Sequence, residues 1–386
     1  MDIFLVSGNV DAPGGSARRA RELAGMFAAR GHRVRLIGIA PVPQGERRVA
    51  RGADVPYEVG ILYGGLPPVA PAAPRNPLAL VARGRRWAHE RGMRAKAGEL
   101  SAAFRGVREG VVVVLEGWAL EWVALADTAG MPVVLVSHEA FAVTRSAARF
   151  GRLRWLCRTG VDRVLAPTRQ DADWWALNWL TNVGVMPAPV RSGEVAAADR
   201  RGKCVVSLGR LDHDKGTDIL LDAWALVAPR CPGWRLRVFG EAGGGALGRA
   251  REEALRKQCA ELGIADSVEW AGYVQESARA LREGAFFVLP SRQEGFPLAP
   301  LEAMGAGLPC VAFDVSPGVR EIVTDGVDGL LVRQGNLDEL ARKMETLMVD
   351  EELRERLGEA ARGVVQRYAP EVVGERWEAL FALLRR

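Results

Sequence analysis

The stretch Ala285-Phe-Phe-Val-Leu-Pro-Ser-Arg-Gln-Glu294-Gly-Phe-Pro-Leu-Ala-Pro-Leu-Glu302 passes from strand to loop to helix. Ala285–Leu289 is a short apolar run that reads as a buried strand, and Pro290 to Gln293 form its exit loop. Pro297 stands where a helix takes its first residue, because the missing N–H would be unpaired there in any case. Leu298, Leu301, Ala303 and Met304 then make an apolar helical face. Glu294 is left in the loop beside the helix start, and Glu302 falls about 7–8 Å along the axis at ~1.5 Å per residue. Free N–H groups and the positive dipole end at such a start bind an anion without dedicated side chains. A carboxylate, an anion site and a second carboxylate in line suit a sugar, a phosphate and a ribose in line.

The strand-then-helix pattern recurs outward in both directions. Strands are predicted at Ile3–Val6, Val34–Ile39, Val111–Leu115, Val133–Val136, Arg163–Leu165 and Val183–Met186. A second series runs through Cys204–Leu208, Leu236–Phe239, Val268–Trp270, Ala285–Leu289, Cys310–Ala312 and Leu330–Val332. Helical patterns include Ala17–Ala29, Trp118–Ala129, Thr217–Val227, Leu337–Met348, Glu351–Val365 and Val372–Leu384. Such alternation is the signature of parallel sheets covered by helices, and each series suffices for its own sheet. The expected fold class is therefore α/β, with two Rossmann-like doubly wound parallel-sheet domains facing an inter-domain cleft. Residues 1–190 make the first domain and 191–369 the second, joined through a linker in Pro187–Arg201, while a terminal helix at about 370–386 crosses back to the first. Residues 41–77 and 82–104 read as loops of the first domain.

Length and composition agree. The 386 residues allow two domains of ordinary size, and 48% apolar with 26% charged residues describes a soluble globular chain. No apolar run nears the ~20 residues of a membrane helix. Met1-Asp2 leads straight into Ile3–Val6, so no signal peptide is expected and the cytoplasm is the expected location. Five scattered cysteines without a C-x-x-C point to reduced thiols. Residues 1–190 carry 25 Lys and Arg against 16 Asp and Glu, a basic excess concentrated in Arg83–Lys96 and Arg145–Arg158. It reads either as a solvated face or as a peripheral contact with an anionic membrane or acceptor at the inner face of the membrane. Nucleic acid is not expected, since no binding motif or interleaved stacking aromatics accompany these charges.

Three further constellations fall at carboxyl ends of strands. In Val205-Val-Ser-Leu-Gly209-Arg210-Leu-Asp-His-Asp-Lys215-Gly216, Gly209 closes a strand while Arg210 and Lys215 flank the turn. An arginine fork and a lysine point charge there can neutralise a diphosphate leaving group. In Ser7-Gly-Asn-Val-Asp-Ala-Pro-Gly14-Gly15-Ser16 the paired glycines admit a ligand close to backbone, and Ser16 is placed to cap the following helix. The glycine spacing is not that of a dinucleotide fingerprint. His138 ends the strand Val133–Ser137, where it can hydrogen-bond a sugar hydroxyl or carry a proton. His32, His89 and His213 receive no chemical role, and no cluster has metal-ligand spacing, so neither metal nor cofactor is expected.

With these residues in view the chain resembles a retaining GT-B glycosyltransferase of family 4, the group 1 glycosyltransferases. The resemblance rests on Gly209-Arg210…Lys215-Gly216 and on Glu294-Gly-Phe-Pro-Leu-Ala-Pro-Leu-Glu302-Ala-Met-Gly-Ala-Gly-Leu-Pro309, supported by Gly14-Gly15 and Asp325-Gly-Val-Asp-Gly-Leu-Leu-Val332. Ala188-Pro189-Val190 departs from the family's Asn-Pro-Val before the linker. The resemblance implies that Arg210 and Lys215 hold the donor's diphosphate, Glu302 the ribose hydroxyls and Glu294 the transferred sugar. It places the backbone from Gly295 through Phe296, Pro297 and Leu298 at sugar and distal phosphate, and Tyr273 and Val274 at the nucleobase. His138 matches a first-domain histidine near the donor sugar, and Gly14 and Gly15, with Gly209 opposite, match loops approaching the diphosphate. The implied activity is metal-independent, front-face transfer of a hexose or N-acetylhexosamine from a UDP-sugar. Its acceptor would be a carbohydrate, lipid-linked or small-molecule hydroxyl, such as an envelope or capsular glycan, a polymer or a secondary metabolite. A nucleotide-sugar epimerase of the same fold and a non-catalytic sugar-nucleotide-binding module are the alternatives.

Overall fold

We describe the protein from a computed structural model, which covers residues 1–12, 15–42, 55–68, 80–107, 109–178, 180–190, 198 and 200–385. It divides into two compact units, Met1–Met186 with Gly374–Arg386, and Pro187–Val373.

The first unit is built on seven parallel strands: β1 (Asp2–Ser7), β2 (Arg33–Gly38), β3 (Glu58–Ile61), β4 (Gly110–Val114), β5 (Val133–Val136), β6 (Arg163–Ala166) and β7 (Val183–Val185). Their order across the sheet is β3-β2-β1-β4-β5-β6-β7. The central strands β1 and β4 are buried along their whole length, which is why Gly110-Val-Val-Val-Val114 shows no polar alternation: helices cover both faces. The helix Pro370–Leu384 supplies its later part to this unit, where Trp377 and Phe381 pack on Phe27 at ring separations of 5.3 and 5.5 Å. His32 anchors the same helix through a 2.8 Å contact with Glu378.

The second unit carries six parallel strands: β8 (Cys204–Leu208), β9 (Arg235–Phe239), β10 (Val268–Gly272), β11 (Phe286–Leu289), β12 (Cys310–Asp314) and β13 (Gly329–Arg333). They lie in the order β10-β9-β8-β11-β12-β13. Each sheet therefore reverses its winding once, between β1 and β4 in the first unit and between β8 and β11 in the second. Loops part at such a reversal, so ligands bind outside the carboxyl ends of the strands there.

Every strand predicted from sequence is found within one or two residues. The first unit departs from expectation in four places. Residues 82–104 are not a loop but part of a 25-residue helix, Leu80–Phe104, whose Leu100 and Phe104 are buried. Much of the expected loop 41–77 and most of the linker lie outside the described residues, yet 55–68 contain an unexpected strand, β3. The helix predicted over Trp118–Ala129 shrinks to Leu120–Val123, because turns closing through Leu125 and Ala126 end it. Ser16 lies inside the helix Gly15–Ala29 instead of capping it. No described helix is long and apolar enough to cross a membrane.

Candidate functional site

The reversal between β8 and β11 gathers the charged residues of the second unit. Leaving β8, Gly209 donates its N–H to the Phe239 carbonyl at 3.0 Å, which holds the chain against the end of β9. The approach is close: a Cβ on Gly240 would stand 1.8 Å from the Gly209 oxygen. Asp212 then accepts from the Lys215 amide at 3.1 Å and closes the single turn His213–Lys215. Gly216 follows at φ 66°, and a Cβ there would meet the Pro290 carbonyl oxygen at 2.0 Å. Only glycine allows the Lys215 turn to press directly on the exit of β11.

This contact brings Lys215 to Glu294. The Lys215 Nζ lies 2.7 Å from Glu294 Oε1, and Ser291 Oγ donates to the same oxygen at 2.7 Å. The Glu294 side chain is buried and Ser291 nearly fully so, whereas Lys215 keeps part of its surface in solvent. Arg210 goes elsewhere: its guanidinium is mostly exposed and pairs with Asp212 at 2.8 Å. A recess at this point is lined by Gly209, Arg210, Lys215, Thr217, Pro290 and Ser291. Two cations and the backbone at the ends of β8 and β11 line it together, the make-up of an anion site.

The exit loop of β11 runs on into the helix Leu298–Gly305. Pro297 is the residue before the helix Leu298–Gly305, with extended φ and ψ of −74° and 127°, rather than its first turn. Glu302 is consequently one turn in, about 6 Å along the axis, and its side chain is buried. Phe296 packs against Tyr368 with ring centroids 5.3 Å apart, so the side chain anchors the loop while its backbone stays at the helix start. Gly295 is braced from behind. Ser316 Oγ donates to its carbonyl at 3.3 Å, and a Cβ on Gly318 would meet that oxygen at 1.9 Å. Val274, just past β10, packs against the same apolar cluster as Leu298, and Tyr273 beside it is partly exposed.

Sequence reasoning missed what staples the two loops. Arg292 in the β11 exit loop holds Asp218 with two hydrogen bonds of 2.6 and 2.9 Å, and it also donates to the His213 carbonyl at 2.8 Å. Arg251 reaches Asp218 from a third element at 2.9 Å. Burial alone would raise the Asp218 carboxyl, but the hydrogen bond and charge of Arg292, with Arg251, bring it down from an ordinary 3.8 to about 2. A carboxylate depressed in the folded state adds stability that is present above its unfolded pKa and is lost as pH falls towards about 2. Asp218→Asn should thus lower stability by about 2 kcal/mol at neutral pH. In paired thermal melts the gap between variant and parent should narrow from pH 4 downward; a gap independent of pH would remove the ion pair as its cause.

Of the first-unit residues, Gly14 lies outside the described residues. Gly15 opens its helix with nothing within 4 Å of where a Cβ would stand, so packing within the chain does not demand a glycine there. His138 follows β5, and its Nε2 is buried without a hydrogen-bond partner. Burial, with the charge of Arg19 added, holds its pKa well below the usual histidine range, so the imidazole is neutral at pH 7.

Two doubly wound parallel sheets in one chain, the second with its charges gathered at the winding reversal, define a GT-B protein. Across known structures, a crystal structure of a Staphylococcus aureus TarM mutant in complex with fondaparinux, alpha-GlcNAc-glycerol and UDP superposes with a TM-score of 0.78. It covers 98% of this chain and 99% of that one at 13% identity, a likeness of fold. Residues 194–364 match the family model described as glycosyl transferases group 1. The Streptomyces coelicolor exopolysaccharide phosphotransferase SCO2592 is 31% identical over 290 residues, 74% of this chain. This chain spans only 30% of that relative's length. An uncharacterized glycosyltransferase of Haemophilus influenzae is 27% identical over 272 residues, 70% of this chain and 75% of the relative. Residues 194–364 therefore form a group 1 glycosyltransferase domain.

Proposed function

We propose that the chain transfers a hexose or N-acetylhexosamine from a UDP-sugar to a hydroxyl of an envelope or capsular glycan, polymer or secondary-metabolite acceptor. On this reading transfer retains the anomeric configuration and needs no metal. The observation that carries the proposal is the junction of Lys215, Ser291 and Glu294 at the β8–β11 reversal, continuous with Glu302 one helical turn beyond. Lys215 and Arg210 take the diphosphate, where negative charge grows as the bond from the anomeric carbon to the phosphate oxygen breaks. The amides at the start of Leu298–Gly305 add their dipole end. Glu302 receives the ribose hydroxyls. Glu294, fixed by two donors on one oxygen, holds the sugar with its second oxygen and steadies positive charge at the anomeric carbon. The acceptor oxygen bonds to that carbon on the face the phosphate leaves, and its proton passes to the leaving phosphate oxygen. His138, neutral, hydrogen-bonds a substrate hydroxyl. The kinship to a protein named for exopolysaccharide and the UDP held by a protein of the same fold support this choice of acceptor and nucleotide.

The test is nucleotide release from UDP-, GDP- and ADP-sugars with and without glycan acceptors, run in parallel with chelator. UDP-sugar turnover that depends on acceptor and survives chelation is the expected result. Loss of the rate on chelation with recovery on added metal would overturn metal independence. Sugar isomerisation without nucleotide release would replace the transferase by an epimerase, and binding without any turnover would leave a binding module. Glu302→Ala should raise the donor KM about tenfold or more with kcat nearly unchanged, because a ribose contact is made equally in ground and transition states.

A further inference from the structure

The first unit has its own winding reversal, between β1 and β4, and the rule that locates the charged junction in the second unit applies there equally. Three residues meet at that point. Gly8 follows β1, and a Cβ on it would stand 2.4 Å from Glu116 Oε2 and 3.0 Å from Cε3 of Trp118. A carboxylate and an indole, both from the segment after β4, are thus packed side by side on one glycine. Ser7 Oγ donates to Glu116 Oε1 at 3.4 Å, and the Gly8 backbone gives the same carboxylate a second hydrogen bond. Burial, partly offset by the hydrogen bonds from Ser7 and Gly8 and aided by the charge of Glu139, raises the Glu116 carboxyl above the usual range.

Trp118 is 38% exposed although it stands at strand ends, and it does not hang free. Its ring meets Trp122 edge-on at 4.8 Å, and Trp122 Nε1 donates to the Tyr63 hydroxyl at 3.2 Å. Other exposed tryptophans differ in place and in neighbours: Trp87 and Trp155 sit on helices, each with an arginine over the ring at 5.4 and 5.0 Å. A rigid indole beside a carboxylate is complementary to a pyranose. The electron-rich ring face takes the sugar's C–H face, and the carboxylate accepts from its hydroxyls.

We propose that Trp118 and Glu116, seated on Gly8, form a pyranose-binding subsite for the acceptor, so that the acceptor is a glycoside rather than an open-chain polyol. This deepens the function proposed above and rests on it only for the word acceptor. Saturation-transfer NMR tests it with methyl α-D-glucopyranoside, methyl α-D-N-acetylglucosaminide, sorbitol and UDP as separate probes on the intact chain. The pyranosides should show saturation of ring protons and sorbitol none. Trp118→Ala should weaken the pyranoside signal about tenfold, Trp118→Phe should retain most of it, and UDP signals should match the parent in both. Glu116→Gln, which keeps the volume, should also weaken the pyranosides, a readout that stands if the alanine variant does not fold. Pyranoside signals unchanged in Trp118→Ala, or sorbitol bound as well as the pyranosides, or no pyranoside signal where UDP gives one, would each overturn the subsite. Absent UDP binding with Trp118-dependent pyranoside binding would instead sink the donor assignment and leave this subsite standing.

Discussion

Glu294→Gln is expected to lower turnover by about 100- to 1,000-fold, the scale seen when one preorganised charge-stabilising group is removed from an active site. The substitution keeps volume and leaves an oxygen for Ser291, so the loop should hold its shape. What it removes is the charge, which in the resting chain is shared with Lys215 across 2.7 Å. Lys215 then loses the partner that holds its ammonium at the recess instead of letting it sweep solvent. Two consequences can be separated by single-turnover measurement of nucleotide release at saturating donor. If Glu294 steadies charge at the anomeric carbon, the chemical step slows while donor affinity changes little; if it only positions Lys215, affinity falls and the chemical step recovers at saturation. Lys215→Met combined with Glu294→Gln should cost less than the two single changes added, because both disrupt one contact. Turnover equal to the parent's would remove Glu294 from the mechanism.

The second large effect is expected from Gly216→Ala, a change of one methyl group. At φ 66° an alanine is strained by ~1 kcal/mol or more, and its Cβ would overlap the Pro290 carbonyl oxygen. Together with the 1–3 kcal/mol typical of overpacking, the loss is about 3 kcal/mol, or roughly 6–12 °C in Tm for a unit of this size. Where the chain escapes by parting the two loops, the fall in Tm is smaller and the Lys215–Glu294 contact opens, which raises the donor KM. Gly263→Ala is the control, since Gly263 has a similar φ of 69° and nothing within 4 Å, so it carries only the backbone strain. Equal behaviour of the two variants would show that contact with Pro290 does not matter.

How far the site could be read in advance differed by residue. Lys215, Glu294 and Glu302 were legible because a short strand, a glycine and a charge recur at both ends of one kind of turn, and strand ends converge in a parallel sheet. The pairing of Lys215 with Glu294 was not, as 79 residues separate them along the chain. Arg292 and Asp218 were passed over for the same reason: an arginine in a loop and an aspartate on a helix look like solvated charges until the fold sets them 2.6 Å apart. Arg210, grouped in sequence with Lys215, turns instead to its neighbour Asp212. In the first unit the helix Leu80–Phe104 was hidden because its residues carry charge on most sides, which weakens the apolar stripe that betrays a helix. Glu116 and Trp118 carried no motif at all.

Local periodicity and turn chemistry by themselves determined the class of fold, twelve of the thirteen strands among the described residues and the positions of the segments that carry charge. These depend on neighbours within a few residues, and sequence displays such neighbours directly. Tertiary structure alone decided which charge meets which, where each sheet reverses, and which glycines permit contact between loops far apart in the chain. Those are matters of 2–3 Å between distant residues, set by strand order and packing, and no local pattern encodes them.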